Sequence, residues 1–105
     1  MDVLQRIKRL AVRGQIRYTW KARDEMAGDG LTDAQVVESL VNAQSIAKTM
    51  RSRSPYRSRG REKLYVIKSF SFDGTLIYTK GKIASHGGFE IFYVLISAKI
   101  PTVDD

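Results

Sequence analysis

The residues with the most chemistry in this 105-residue chain lie between Lys48 and Lys63, in KTMRSRSPYRSRGREK. Arg51, Arg53, Arg57, Arg59 and Arg61 are interleaved with serines, and Tyr56 sits among them. Guanidinium groups pair bidentately with phosphate oxygens, and a tyrosine ring stacks on an unpaired base. The chemistry such a segment suits is binding of a single-stranded nucleic-acid backbone. No acidic residue falls between Glu38 and Glu62, so most of the formal net charge of +7 is concentrated there. Pro55 and Gly60 argue against one continuous buried strand, and residues 51–61 are read as a basic loop. A solvated linker whose charge only aids solubility is the plainer alternative.

A second group of cations and tyrosines falls at strand spacing. Side chains alternate between the two faces of a strand, so Leu76, Tyr78, Lys80 and Lys82 share one side. Further on, Tyr93, Leu95, Ser97 and Lys99 oppose Phe92, Val94, Ile96, Ala98 and Ile100, and the second set is assigned to the core. This predicts an uncovered sheet face lined by Tyr78, Lys80, Tyr93, Ser97 and Lys99. Together with the arginine loop it would make a basic surface, although any half-exposed antiparallel sheet puts lysine and tyrosine on its wet side.

The elements that must position these residues are legible from periodicity. Val3, Leu4, Ile7, Leu10 and Ala11 form an apolar stripe at helical spacing over residues 2–13, with Gly14 as the stop. Residues 15–18 read as a short extended connection. Thr19 is placed to cap a second helix from Trp20 to about Ala27, ended by Gly28-Asp29-Gly30. Thr32 and Gln35 form a capping-box pattern for a third helix that buries Val36, Val37, Leu40 and Val41. From Ser45 the period becomes two. Strands are expected over 45–50, 63–72, 75–83 and 89–100, joined by a hairpin at Asp73-Gly74 and a turn at 85–88. Helices first and strands afterwards imply an α+β domain, with N-terminal helices packed on one face of a C-terminal antiparallel β-sheet. Asp104 and Asp105 read as a frayed tail.

Bulk composition narrows the function classes. The chain is one domain, with a hydrophobic content of 43% and a charged content of 28%, which is ordinary for a folded globular protein. A pI near 9.9 favours an anionic partner. There is no apolar run of membrane-spanning length, and Arg6, Lys8 and Arg9 interrupt any signal-peptide pattern, which leads to the expectation of a cytoplasmic protein with no membrane partner. With no cysteine and one histidine, neither a disulfide nor the usual zinc constellation can form, and no metal or other cofactor is expected. Individually, Trp20 reads as a core or interface residue, Met26 and Met50 as core filler, and His86 as an incidental turn residue.

LQRIKRLAVRGQIRYT, IAKTM, LIYTK and FYVLISAK, in that order, resemble the MqsR family of mRNA interferase toxins, part of the RelE-like group of bacterial toxin–antitoxin ribonucleases. The resemblance runs from residue 4 to about residue 99 in short pieces. YTWKARDEM followed by GLT also resembles the opening of a related domain-of-unknown-function family, in which Lys21 replaces the usual histidine. The resemblance implies catalytic roles for Lys48, Tyr78 and Lys99, each of which falls on a matching position of a family segment. The family's functional glutamine has no counterpart in LYVIKS.

What the resemblance implies is the toxin of a type II toxin–antitoxin system, a metal-independent endoribonuclease that cleaves mRNA, free or ribosome-bound, and is held by a cognate antitoxin protein. RNA cleavage needs a base for the 2′-hydroxyl proton, an acid for the leaving 5′-oxygen and cations for the phosphorane charge. Tyr78 is assigned to donate or orient a proton, Lys48 or Lys99 to act as base, and Arg59 or Arg61 to clamp the phosphate. Arg51, Arg53, Tyr56, Arg57, Arg59, Arg61 and Lys80 are the expected RNA contacts. The alternative is a noncatalytic RNA- or DNA-binding or regulatory interaction module on the same fold.

Overall fold

The computed structural model describes residues 1–51 and 62–105. Residues 52–61 of the predicted basic loop, with Arg53, Tyr56, Arg57, Arg59 and Arg61, lie outside them. Among the described residues the order is α1 (Val3–Val12), β1 (Ile16–Tyr18), α2 (Trp20–Asp29), α3 (Asp33–Asn42), β2 (Lys48–Arg51), β3 (Lys63–Phe70), β4 (Leu76–His86) and β5 (Phe89–Lys99). The fold is α+β: helices first, then strands, with the helices packed against one face of the sheet.

Local sequence fixes the helices. The Asp2 carboxylate accepts from the Gln5 amide at 2.9 Å, and α1 then buries Ile7, Leu10 and Ala11. The Thr19 hydroxyl caps α2 at the Ala22 amide. This helix runs through Gly28 and Asp29 and stops at Gly30, two residues beyond the expected end. Thr32 and Gln35 complete a reciprocal capping box on α3, whose Val36, Ser39 and Leu40 are buried.

The strands form one sheet in the order β1-β5-β4-β3-β2. From β2 to β5 it is the expected antiparallel meander. Residues 16–18, read as a mere connection, add a strand parallel to β5, with Ile16 opposite Tyr93 and Tyr18 opposite Leu95. A three-residue segment gives no period to read, and its pairing is set by Gln15, whose carbonyl accepts from the Tyr93 amide and whose side chain donates to the Ile91 carbonyl.

The hairpin between β3 and β4 closes on Ser71 and Thr75 around Phe72-Asp73-Gly74, with the Gly74 amide bonded to the Ser71 carbonyl. Gly74 has φ of 85°, a conformation that side-chain-bearing residues resist. Ser71, Thr75 and Gln35 bond the Asp73 carboxylate and hold its pKa down at about 2.

One irregularity decides the faces. Lys80 pairs with Ser97 but Gly81 pairs with Leu95, so Ile96 is an extra residue in β5 and the side-chain alternation before it reverses. Tyr93 and Leu95 are therefore fully buried against the helices, not on the uncovered face as the unbroken alternation predicts. Gly81 completes the arrangement: a Cβ there would come within 2.6–2.8 Å of the Tyr93 ring. The core is Ile7, Leu10, Ala22, Met26, Val36, Leu40, Ile67, Ile77, Tyr93 and Leu95 with their neighbours.

α2 also protects an edge. Beyond Tyr18, the outer side of β5 has no strand partner, and an unpaired strand edge invites association. Instead the Thr19 hydroxyl donates to the Ile96 carbonyl, and the Ala98 and Ile100 amides donate to the carboxylates of Glu25 and Asp29 at 3.2 and 2.7 Å. Glu25 and Asp29 lie one helical turn apart, matching the two-residue step of a strand's outward amides.

Candidate nucleic-acid interface

Register places the candidate residues in two rows across the open face. One row runs Lys68 (β3), Tyr78 (β4), Lys99 (β5). The other runs Lys48 (β2), Val66 (β3), Lys80 (β4), Ser97 (β5). The rows are two residues, about 7 Å, apart along the strands. Lys48, Lys68, Tyr78 and Lys80 line a single groove of about 300 Å³, into which Asp104 and Asp105 also project. Lys99, outside the lining of this groove, flanks Tyr78 from β5, with Nζ 5.3 Å from the ring centroid.

The last residues close over this row. Lys99 Nζ lies 3.0 Å from Asp105 Oδ2, and Lys68 Nζ donates to the main-chain oxygen of Asp105. The Thr102 amide and hydroxyl donate to the same Asp105 carboxylate at 2.8 and 2.9 Å. Asp104 and Asp105, read as a frayed tail, are thus organised around Thr102, and Asp105 docks on two lysines. Polarity and position gave no hint of this, because the contact is a long-range ion pair.

Neighbouring charges set the protonation states. Burial, followed by the Asp105 charge, raises the Tyr78 pKa, and Lys99 opposes this. The hydrogen bond to Asp105 raises that of Lys99. The Thr102 amide and then the Lys99 ammonium hold the Asp105 carboxyl at about 2. For Glu25, burial acts upward but is outweighed by hydrogen bonds from Ser97 and Ala98 and by Lys21, so the net shift is downward. At neutral pH this leaves a phenol, an ammonium and carboxylates. Tyr78 and Lys99 are equipped to donate hydrogen bonds to an anion and, for Tyr78, to release a proton to a stronger base.

Of the sequence candidates, Lys48, Tyr78, Lys80 and Lys99 share the open face. Lys48 and Lys99 are not adjacent: three strand spacings across the sheet and one row along it, about 16 Å in all, separate their backbones. Arg51 is exposed and pairs with Lys63, on the opposite side of the strand from Lys48. Tyr93 is in the core, and the Ser97 hydroxyl is buried and donates to Glu25. Trp20, expected in a core or interface, is 86% exposed at the start of α2. Lys21 pairs with Glu25 at 3.4 Å, one turn along the helix. His86 sits at the far end of β4, about 26 Å of extended chain from Tyr78. Met26 is buried as expected, and half-buried Met50 lines the groove.

Lys68, Glu25 and Asp105 are the site residues that sequence reasoning missed. Lys68 was within reach: carrying the alternation of β4 back through the hairpin puts it opposite Tyr78. Among the described residues no cluster of three or more histidine, aspartate or glutamate side chains is arranged to hold a metal ion, and no helix is long and apolar enough to cross a membrane.

No family model, curated protein or solved structure matches this chain.

Proposed function

We propose that the open face of the sheet binds single-stranded RNA and that the protein is a metal-independent endoribonuclease of the RelE/MqsR toxin type, acting in the cytoplasm and held by an acidic antitoxin. The observation that carries this reading is the placement of Lys48, Lys68 and Lys80 in one groove with Tyr78, and of Lys99 beside the Tyr78 ring, on strands whose other face is locked into the core. Amines at strand spacing match a backbone that carries one charge per nucleotide, and the Tyr78 ring offers a surface for a base.

In the proposed reaction Lys48, as the neutral amine, takes the proton of the 2′-hydroxyl and the 2′-oxygen bonds to phosphorus. Lys80 and Lys99 stabilise the added negative charge on the nonbridging oxygens. The bond from phosphorus to the 5′-oxygen breaks, and Tyr78 protonates that leaving oxygen. The products are a 2′,3′-cyclic phosphate and a 5′-hydroxyl end. Primer extension on RNA from induced cells, and on a purified transcript treated with protein in EDTA, tests it. New ends from wild type, lost in a Lys48, Tyr78, Lys99 triple-alanine variant that remains folded, are expected. Intact RNA with soluble wild-type protein overturns it.

A second reading, a binding module that does not cut, is favoured by one geometric observation: Lys48, the assigned base, stands on the edge strand β2, with β3 between it and the strand of Tyr78. Steeply salt-dependent RNA binding without new ends would select this reading.

A further inference from the structure

We propose that Lys68 and Lys99 form a phosphate subsite flanking Tyr78, and that Asp105 is its internal occupant, so that residues 101–105 compete with RNA for the open face. The competitor role rests on the RNA reading above, whereas the subsite does not. The two lysines come from β3 and β5, on either side of the β4 residue Tyr78, with backbones about 10 Å apart. Their ammonium groups nevertheless converge on one residue. Lys99 binds a carboxylate oxygen of Asp105 and Lys68 binds its main-chain oxygen. A carboxylate oxygen and a main-chain oxygen of one residue, each held by a different amine, offer this pair two acceptors close together, as the nonbridging oxygens of a phosphodiester would.

The way the segment is held suits displacement. The Asp105 carboxylate is oriented by Thr102, from within the segment, and the Asp105 amide donates back to the Thr102 carbonyl at 3.1 Å. Residues 102–104 are exposed and Val103 is fully so. The described contacts that hold Asp105 to the rest of the molecule are therefore chiefly its two lysine contacts. Lys99 and Asp105 keep only 25% and 17% of their side-chain surface exposed, so the docked segment screens Lys99 from an incoming strand. A polyanion supplying several phosphates offers Lys68 and Lys99 the same contacts and adds Lys48 and Lys80. An isolated phosphate competes with Asp105 one for one.

The test uses the full chain, an eight-nucleotide RNA and pyrophosphate as probes, and Asp105→Asn beside Asp24→Asn. Asp24 is an exposed acid on α2, and its loss changes net charge equally. Asp105→Asn should bind the RNA about two- to five-fold more tightly than Asp24→Asn at low salt, the scale set by removing one partly exposed ion pair. In wild type, pyrophosphate should move the Thr102 and Asp105 amide resonances toward those of Asp105→Asn, and Lys68→Met should weaken that response. Equal affinities of the two asparagine variants would overturn the competition. Unmoved Thr102 and Asp105 resonances at high pyrophosphate would overturn the subsite. If no variant binds RNA, the RNA reading and the competitor role fall together, while the pyrophosphate titration still decides whether Asp105 occupies an anion site.

Discussion

The two faces of the sheet are made by the same strands and have opposite chemistry. On the covered face Ile67, Ile77, Thr79, Tyr93 and Leu95 are at most 1% exposed, and the Thr79 hydroxyl is satisfied by the Ile67 carbonyl. On the open face Lys48, Lys68, Lys80, Lys82 and Lys99 alternate with those core residues. Among the described residues their charge is balanced at the margins, where Lys82 pairs with Glu62 and Lys99 with Asp105, at 3.2 and 3.0 Å. Among the described residues Lys48 and Lys80 have no ion pair. The difference teaches that strand parity alone separates a dry layer from a charged one, and that the added residue at Ile96 is where the two exchange.

The largest effect expected from the open face is on chemistry. Under the ribonuclease reading, Tyr78→Phe removes the proton donor while keeping the ring, and cleavage should fall about 100-fold or more with RNA affinity little changed. Quenched single-turnover assays beside fluorescence polarisation separate the two quantities. Equal cleavage by the variant would remove Tyr78 from the mechanism. On the covered face the matching test is Gly81→Ala. The added methyl meets the Tyr93 ring, which is fully buried and cannot swing out, so a loss of about 2–3 kcal/mol is expected in urea unfolding. A loss below the usual surface-mutation range would mean that the ring relocates easily.

Between these lies the edge of β5. Glu25→Ala leaves the Ala98 amide and the buried Ser97 hydroxyl without their partner, and about 1–2 kcal/mol of stability should go with it. Hydrogen exchange at Ala98 should rise more than at Leu95, whose carbonyl is bonded by the Thr19 amide and whose strand partner is β1. Uniform change along β5 would argue that α2 does not guard the edge locally.

A smaller effect of opposite sign is expected at Tyr93. Its hydroxyl is buried and, among the described residues, has no hydrogen-bond partner, and burial raises its pKa above the usual tyrosine range. Tyr93→Phe should therefore be neutral or stabilising by up to about 1 kcal/mol, because the unmet desolvation cost disappears while the ring packing stays. A clear destabilisation in the same urea assay would show that the hydroxyl is satisfied after all.

Much of this comparison was legible beforehand, and the misses have physical causes. Helical spacing located α1, Thr32 and Gln35 predicted the start of α3, and Asp73-Gly74 marked the hairpin, because each depends on neighbours in sequence. Parity placed Tyr78, Lys80 and Lys99 on the open face correctly. It misplaced Tyr93 because nothing in FYVLISAK distinguishes Ile96 as unpaired; the shift arises from how β4 and β5 meet. It missed β1, whose partner lies some 77 residues away. Trp20 was assigned to a core or interface because it sits in a helical apolar pattern, yet at the first turn of α2 it is exposed. Asp105 was dismissed as a chain-end acid, since its ion pair with Lys99 and its hydrogen bond from Lys68 exist only once three separate segments have assembled.

The smallest effect expected concerns the acid that links the row of Lys68, Tyr78 and Lys99 to the tail. The Asp105 carboxyl ordinarily titrates near 3.8 but is held at about 2 in the fold, by the Thr102 amide and then by Lys99. A carboxyl whose folded pKa is depressed contributes stability that is fully present above its unfolded value and is lost as pH falls through the folded one. The docked segment should accordingly persist at neutral and mildly acidic pH and loosen between about pH 4 and pH 2. Carboxyl carbon shifts followed by NMR give the midpoint directly. In Lys99→Gln it should move upward only part of the way, because the Thr102 contacts remain. A midpoint in wild type at the ordinary aspartate value would mean that Asp105 is not held against the sheet. The open face would then stand uncovered, and the contrast between its guarded and unguarded lysines would reduce to Lys82 alone.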